Sequence, residues 1–188
     1  MDHGDRMTTG SVSDRIYFKK QIVLIATLLA SLFCLTGFWR GEPSWEKIHA
    51  DIDAKYPDVP SISMAELFEK METDTDLTLV DVRSREEYAV SHIQKAIQMT
   101  SPKDLTLALD RYIVCYCSVG YRSAEFVHAA RSRGYTNIVN YKGSIFEWAN
   151  AGNPVYRYGK VVSRVHPYND YWGKLLNSDL HYRKTERP

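Results

Sequence analysis

Arg111–Arg133, RYIVCYCSVGYRSAEFVHAARSR, is a strand, a tight loop and a helix in immediate succession. Ile113, Val114 and Tyr116 suit a buried strand, and Cys117, Ser118, Val119, Gly120 and Tyr121 leave no room for a long loop. From Arg122 onward, Ala124, Val127 and Ala130 recur at helical spacing, and Gly134 stands where a C′ glycine stops a helix. The chemistry follows from this placement. Loop N–H groups, the helix dipole and the Arg122 guanidinium all favour negative charge at a cysteine ending a strand before a helix. Cys117 is therefore the candidate thiolate nucleophile. Cys115 lies two residues earlier on the same side of the strand. Same-face neighbours are about 6.6 Å apart by the strand rise, long for an unstrained disulfide, so Cys115 reads as a buried strand residue rather than a resolving thiol.

Short strands at 77–82, 112–116 and 137–141 alternate with helical segments. Ser63-x-x-Glu66, Ser84-x-x-Glu87 and Ser144-x-x-Glu147 have capping-box spacing and mark three helix starts. The alternation predicts an α/β domain with a central, mostly parallel sheet covered on both faces by helices. Ligands of such sheets sit at the carboxyl ends of the strands, where Cys117 falls.

Together these residues resemble the rhodanese-like sulfurtransferases. Cys117-Ser118-Val119-Gly120-Tyr121-Arg122 is similar to the family's C-x-x-G-x-R loop. Leu79–Arg83 with Glu86, Glu87 and Tyr88 resembles its DVR-x-x-x-E-[FY] segment, and Ser91-His92-Ile93 falls at its GHI. Gly134–Val139 and Gly143–Val155 resemble its closing segments. Ser91, Lys95 and Ser144 replace family glycines, which bears on turn geometry rather than on chemistry. The resemblance covers roughly 62–155. It implies that Cys117 attacks a small anionic sulfur donor such as thiosulfate, holds a persulfide, and passes the sulfur to a thiol or cyanide. It gives substrate-binding roles to Ser118, Val119, Gly120, Tyr121, Arg122 and Ser123, with Arg122 orienting the donor, and a site-organising role to Asp81 and Arg83, for which a structural salt link is the simpler reading. No cofactor and no metal are expected, and His92 reads as a structural residue bonded to backbone. Phosphatases of the same superfamily carry a longer loop, so the four residues between Cys117 and Arg122 argue against phosphate chemistry.

The rest of the chain adds context. A length of 188 residues suits one domain with extensions, and a net charge of +1 gives no case for nucleic acid. Residues 1–20 are polar and read as disordered. Residues 21–39 contain the uncharged run IVLIATLLASLFCLTGFW and read as a transmembrane helix anchoring the chain. A cleaved signal peptide is the competing reading, although Leu35-Thr36-Gly37 is a poor cleavage site. Arg6, Arg15, Lys19 and Lys20 against Arg40, Lys47 and Lys55 favour a cytoplasmic N-terminus, which puts the catalytic domain on the extracytoplasmic side. Residues 40–60 read as a juxtamembrane connector. Ser44 caps a short helix there through Lys55, with Ile48 and Ile52 on one face, and a spacer role is the simpler expectation. The rhodanese-like domain is expected over 61–156, followed by an aromatic, basic extension over 157–188. Its Val161–Leu176 stretch should pack on the domain, its last residues should be disordered, and a protein partner for it is an alternative role. The main alternative for the whole chain is a membrane-tethered binding or regulatory module with little catalysis.

Overall fold

A computed structural model describes residues 41–184. The anchor expected over 21–39 and the polar segment over 1–20 lie outside these residues. Among the described residues no helix is long and apolar enough to cross a membrane.

Five parallel strands form the central sheet: β1 (Ser61–Ile62), β2 (Thr78–Asp81), β3 (Ile97–Gln98), β4 (Ile113–Tyr116) and β5 (Ile138–Tyr141), in the order β1-β5-β4-β2-β3. The expected strands fall within one residue of β2, β4 and β5. All four residues of β4 are fully buried, as a central strand covered on both faces requires. The register pairs Asp81 with Tyr116 and Cys115 with Asn140, so the strands deliver their carboxyl ends to one edge. Cys117 stands there, one residue beyond β4.

Helices cover the sheet: α1 (Trp45–Lys55), α2 (Met64–Thr73), α3 (Arg85–Val90), α4 (Tyr121–Arg131) and α5 (Ser144–Asn150). Two of the three expected capping boxes form, Ser63 with Glu66 ahead of α2 and Ser84 with Glu87 ahead of α3. Helix α4 closes with the 6→1 and 5→2 bonds of a Schellman turn, from Tyr135 N–H to the Ala130 carbonyl and from Gly134 N–H to the Arg131 carbonyl. Gly134, at φ 97°, fills the C′ position.

The third capping box does not form. Gly143 precedes α5 as its cap, and Ser144 lies inside the first turn at φ 52° with its hydroxyl turned to other work. The amide groups at the start of α5 instead donate to loop carbonyls, Ile145 N–H to Cys117 (3.2 Å) and Phe146 N–H to Ser118 (3.2 Å). The otherwise unsatisfied donors of one helix thereby staple the loop that carries Cys117.

The spacer expected over 40–60 is also corrected. Ser44 caps α1 as expected, but Ile48 and Ile52 are fully buried and Tyr56 and Val59 join the core. Burying each isoleucine contributes about 1.5–3 kcal/mol, too much for a passive tether. Asp53 bonds Lys142 (2.6 Å) and Asp51 accepts from the Tyr121 hydroxyl (3.0 Å), so α1 packs directly behind the Cys117 loop.

Beyond α5, β6 (Val155–Arg157) and β7 (Lys160–Val162) form an antiparallel hairpin. Its two-residue turn, Tyr158 and Gly159, has φ 50° and 74°, as a type I′ turn requires. Val165 and Leu176 then insert into the core, with the short helix α6 (Asp170–Gly173) between them. The disorder expected at the end of the chain does not extend over 177–182. A 3-10 turn at Ser178–Leu180 returns the backbone to Val165, which donates to the Leu180 carbonyl and accepts from Tyr182 N–H.

Candidate active site

The loop between β4 and α4 is held rigidly. Cys117 N–H donates to Ser144 Oγ (3.1 Å), and Ser144 Oγ donates onward to the Tyr141 carbonyl (2.9 Å). Gly120 sits at φ 107° with its α-carbon against Lys142. A β-carbon there would lie 2.4 Å from the Lys142 carbonyl oxygen and 3.0 Å from Ile52 Cδ1, so both conformation and space require glycine. Gly120 N–H donates to Cys117 Sγ (3.1 Å), and Ser123 Oγ donates to the Gly120 carbonyl (3.1 Å).

Burial opposes a charged sulfur at Cys117. The Arg122 cation and hydrogen bonds from Ser123 and Gly120 outweigh it and lower the thiol below its ordinary 9.0. Cys115 has burial without such partners, and its thiol is pushed far up. Both cysteines are free. Two thiols two residues apart on one chain are thus opposite in character, one poised to ionise and one inert.

Arg122 is engaged. Its Nη1 donates to Glu87 Oε2 and its Nη2 to Glu87 Oε1, both at 2.8 Å, and Nη2 also reaches Ser118 Oγ (2.9 Å). The Tyr168 ring lies over the guanidinium, 4.6 Å from its carbon. Burial would raise Glu87, but the bonds and charge of Arg122 bring it down to about 2, so the carboxylate is ionised and offsets part of the arginine's charge. Arg122 therefore reaches the expected place but has no free bidentate fork for a donor. In the sequence, Glu87 reads only as a cap and a family residue. The carboxylate does both jobs, taking the Ser84 N–H (3.0 Å) and the Ser118 hydroxyl (3.2 Å) as well as Arg122.

Asp81 and Arg83 form a wholly buried bidentate ion pair, with Nη2–Oδ2 at 2.6 Å. Arg83 Nη2 also donates to the Ser91 carbonyl (2.6 Å). The pair ties the end of β2 to the end of α3, the helix that carries Glu87, and does not line the cavity over Cys117. His92 is placed as expected, stacked on Tyr88 (3.9 Å) with Nδ1 3.2 Å from the Tyr88 carbonyl. Among the described residues no cluster of His, Cys, Asp and Glu could hold a metal ion.

Above the loop lies a cavity of about 230 Å³ lined by Cys117, Ser118, Val119, Tyr121 and Arg122. Its remaining walls, Tyr168 and Trp172, come from the C-terminal extension, a placement no local pattern announced. A larger cavity of about 490 Å³, lined in part by Ser84, Pro102, Arg122 and Phe126, holds no cysteine.

Residues 63–151 match the family model of the rhodanese-like domain. A sulfurtransferase of Allochromatium vinosum is 31% identical over 103 residues, which cover 52% of this chain and 94% of that protein. A probable adenylyltransferase/sulfurtransferase MoeZ of Mycobacterium tuberculosis is 33% identical over 113 residues, 56% of this chain. The match spans only 28% of that protein's length. A tRNA uridine(34) hydroxylase of Pectobacterium atrosepticum is 26% identical over 58% of this chain and 34% of its own. Among solved structures, a human single-domain sulfurtransferase, TSTD1, superposes with a TM-score of 0.45 at 30% identity, covering 48% of this chain and 95% of that one. Family membership rests on the sequence matches rather than on the superposition. A buried, activated cysteine on a short loop at the carboxyl edge of a parallel sheet defines the class, and this chain belongs to the rhodanese-like family.

Proposed function

We propose that the protein is a sulfurtransferase working through a persulfide on Cys117. The observation that carries this reading is the lowered Cys117 thiol with Gly120 N–H on its sulfur, beside an inert Cys115. The Cys117 thiolate attacks the outer sulfur of a sulfane donor. The donor's S–S bond breaks and its electron pair leaves with the leaving group, which is sulfite when the donor is thiosulfate. The persulfide anion then occupies the loop, where the N–H groups of Gly120 and Ser123 face the charge. A thiolate or cyanide takes the terminal sulfur and restores the cysteine thiolate. Arg122 acts through its field on the sulfur more than as a clamp on the donor. Residues 21–39 would anchor this domain to a membrane, with the catalytic side extracytoplasmic. Steady-state turnover tests the chemistry: Cys117→Ser should abolish sulfur transfer, and Cys115→Ser should retain it. Full activity in Cys117→Ser would overturn the proposal.

A further inference from the structure

Two walls of the cavity over Cys117 come from residues beyond the 63–151 segment that matches the family. They are anchored. Val165 and Leu176 are buried on either side of the 166–173 turn. Asn150 of α5 donates to the Leu175 carbonyl (2.7 Å) and accepts from Asn177 N–H (2.8 Å). Asn169 caps α6 by accepting Trp172 N–H (2.9 Å). Tyr168 itself is held at φ 64°, with its N–H donating to His166 Nδ1 (3.0 Å). A bulky residue persists in that conformation only where its surroundings determine it.

The charge and shape of the space under this wall limit what can enter. Arg122 is the cation whose charge acts on the sulfur, and Glu87 offsets it through two bonds while Tyr168 covers its face. Val119, Tyr121, Tyr168 and Trp172 supply apolar and aromatic surface. Among the residues lining the cavity, a dianion such as thiosulfate would find only this already paired cation to receive it as it sheds water to approach a thiolate. The cavity, about 230 Å³, is also smaller than the roughly 300–1,000 Å³ clefts that hold drug-sized ligands.

We propose that the Tyr168–Trp172 wall makes this site selective for small, low-charge organic persulfides, R–S–SH with an apolar R group stacked on the rings, over thiosulfate. This rests on Cys117 being the sulfur-accepting nucleophile. Cys117 Sγ attacks the terminal sulfur of R–S–SH and the S–S bond breaks. R–S⁻ departs with the electron pair, and the terminal sulfur, with its proton, stays on the cysteine.

The test uses the full-length chain in mild detergent, with benzyl persulfide and thiosulfate as donors. The rate of sulfur gain on Cys117 gives kcat/KM for each. The donors differ in intrinsic reactivity, so the deciding quantity is how the ratio of the two values changes on Tyr168→Gly. Glycine accepts φ 64° without strain, so this variant removes the ring and keeps the turn. The ratio should fall about tenfold, the size of one aromatic contact, through a raised KM for benzyl persulfide. A ratio unmoved in the folded variant would overturn the selectivity and leave Cys117 chemistry standing. Sulfur gain from neither donor would overturn both.

Discussion

Replacing Glu87 by Gln keeps the side chain's shape and removes its charge, which isolates the worth of its pair with Arg122. The carboxylate accepts on both oxygens: Oε2 from Ser84 N–H and Arg122 Nη1, Oε1 from the Ser118 hydroxyl and Arg122 Nη2. A glutamine offers one oxygen, and its amide N–H groups must face donors at the other corner. A carboxyl brought down from 4.5 to about 2 has its charged form favoured by roughly 3 kcal/mol. Breaking a buried pair from one side costs about 3–5 kcal/mol in general. The Arg122 side chain is 32% exposed, so water recovers part of that loss, and about 2–3 kcal/mol is expected. Urea unfolding at pH 7 should show the loss as a lowered midpoint with an unchanged slope. The sign with pH is definite. Glu87 titrates lower when folded, so its contribution is complete above about 4.5 and disappears as pH falls towards about 2. The gap between wild type and Glu87→Gln should close over that window. A loss below about 1 kcal/mol, or a gap that persists unchanged down to pH 2, would refute the pairing as the organiser of this site.

Alkylation of Cys117 by iodoacetamide should rise with pH and level off below the ordinary thiol value of 9.0, while Arg122→Met should shift the inflection upward. Gly120→Ala should abolish sulfur transfer and lower the thermal midpoint, because left-handed backbone costs a side chain about 1–2 kcal/mol before the 2.4 Å overlap with Lys142 is counted. Lys95 holds φ 62°, so Lys95→Gly should raise stability by about 1 kcal/mol in urea unfolding. Ser144→Gly relieves a similar φ, yet it deletes the hydroxyl that holds Cys117 N–H and should lower stability on balance.

The strands and the Cys117 loop were legible because their signals are local. Leu79-Val80, Ile113-Val114 and Ile138-Val139 are short apolar runs, and Gly134 sits where a Schellman turn needs it. Of the three family glycines replaced here, Lys95 and Ser144 keep positive φ despite their side chains, whereas Ser91 takes an extended φ of −169° that any residue adopts. Other features depended on distant partners. Ser144 has the spacing of a cap, but the loop carbonyls satisfy α5 and release its hydroxyl for Cys117. Glu87 shows in sequence as one of two adjacent glutamates, and only the fold turns it inward to Arg122. Helix α1 presents two buried isoleucines in an otherwise polar segment, a pattern equally fit for a spacer until the groove behind Gly120 is formed. Tyr168 and Trp172 acquire meaning only when Val165 and Leu176 dock the extension over the loop.

Persulfide formation on Cys117 is read from the intact mass of the full-length protein before and after a sulfane sulfur donor, and again after cyanide. Cys117→Ser and Cys115→Ser should be measured alongside it. A persulfide on Cys117 requires one added sulfur atom on wild type and on Cys115→Ser, none on Cys117→Ser, and its removal by cyanide. Retention of the added sulfur by Cys117→Ser, or its loss only in Cys115→Ser, would contradict it.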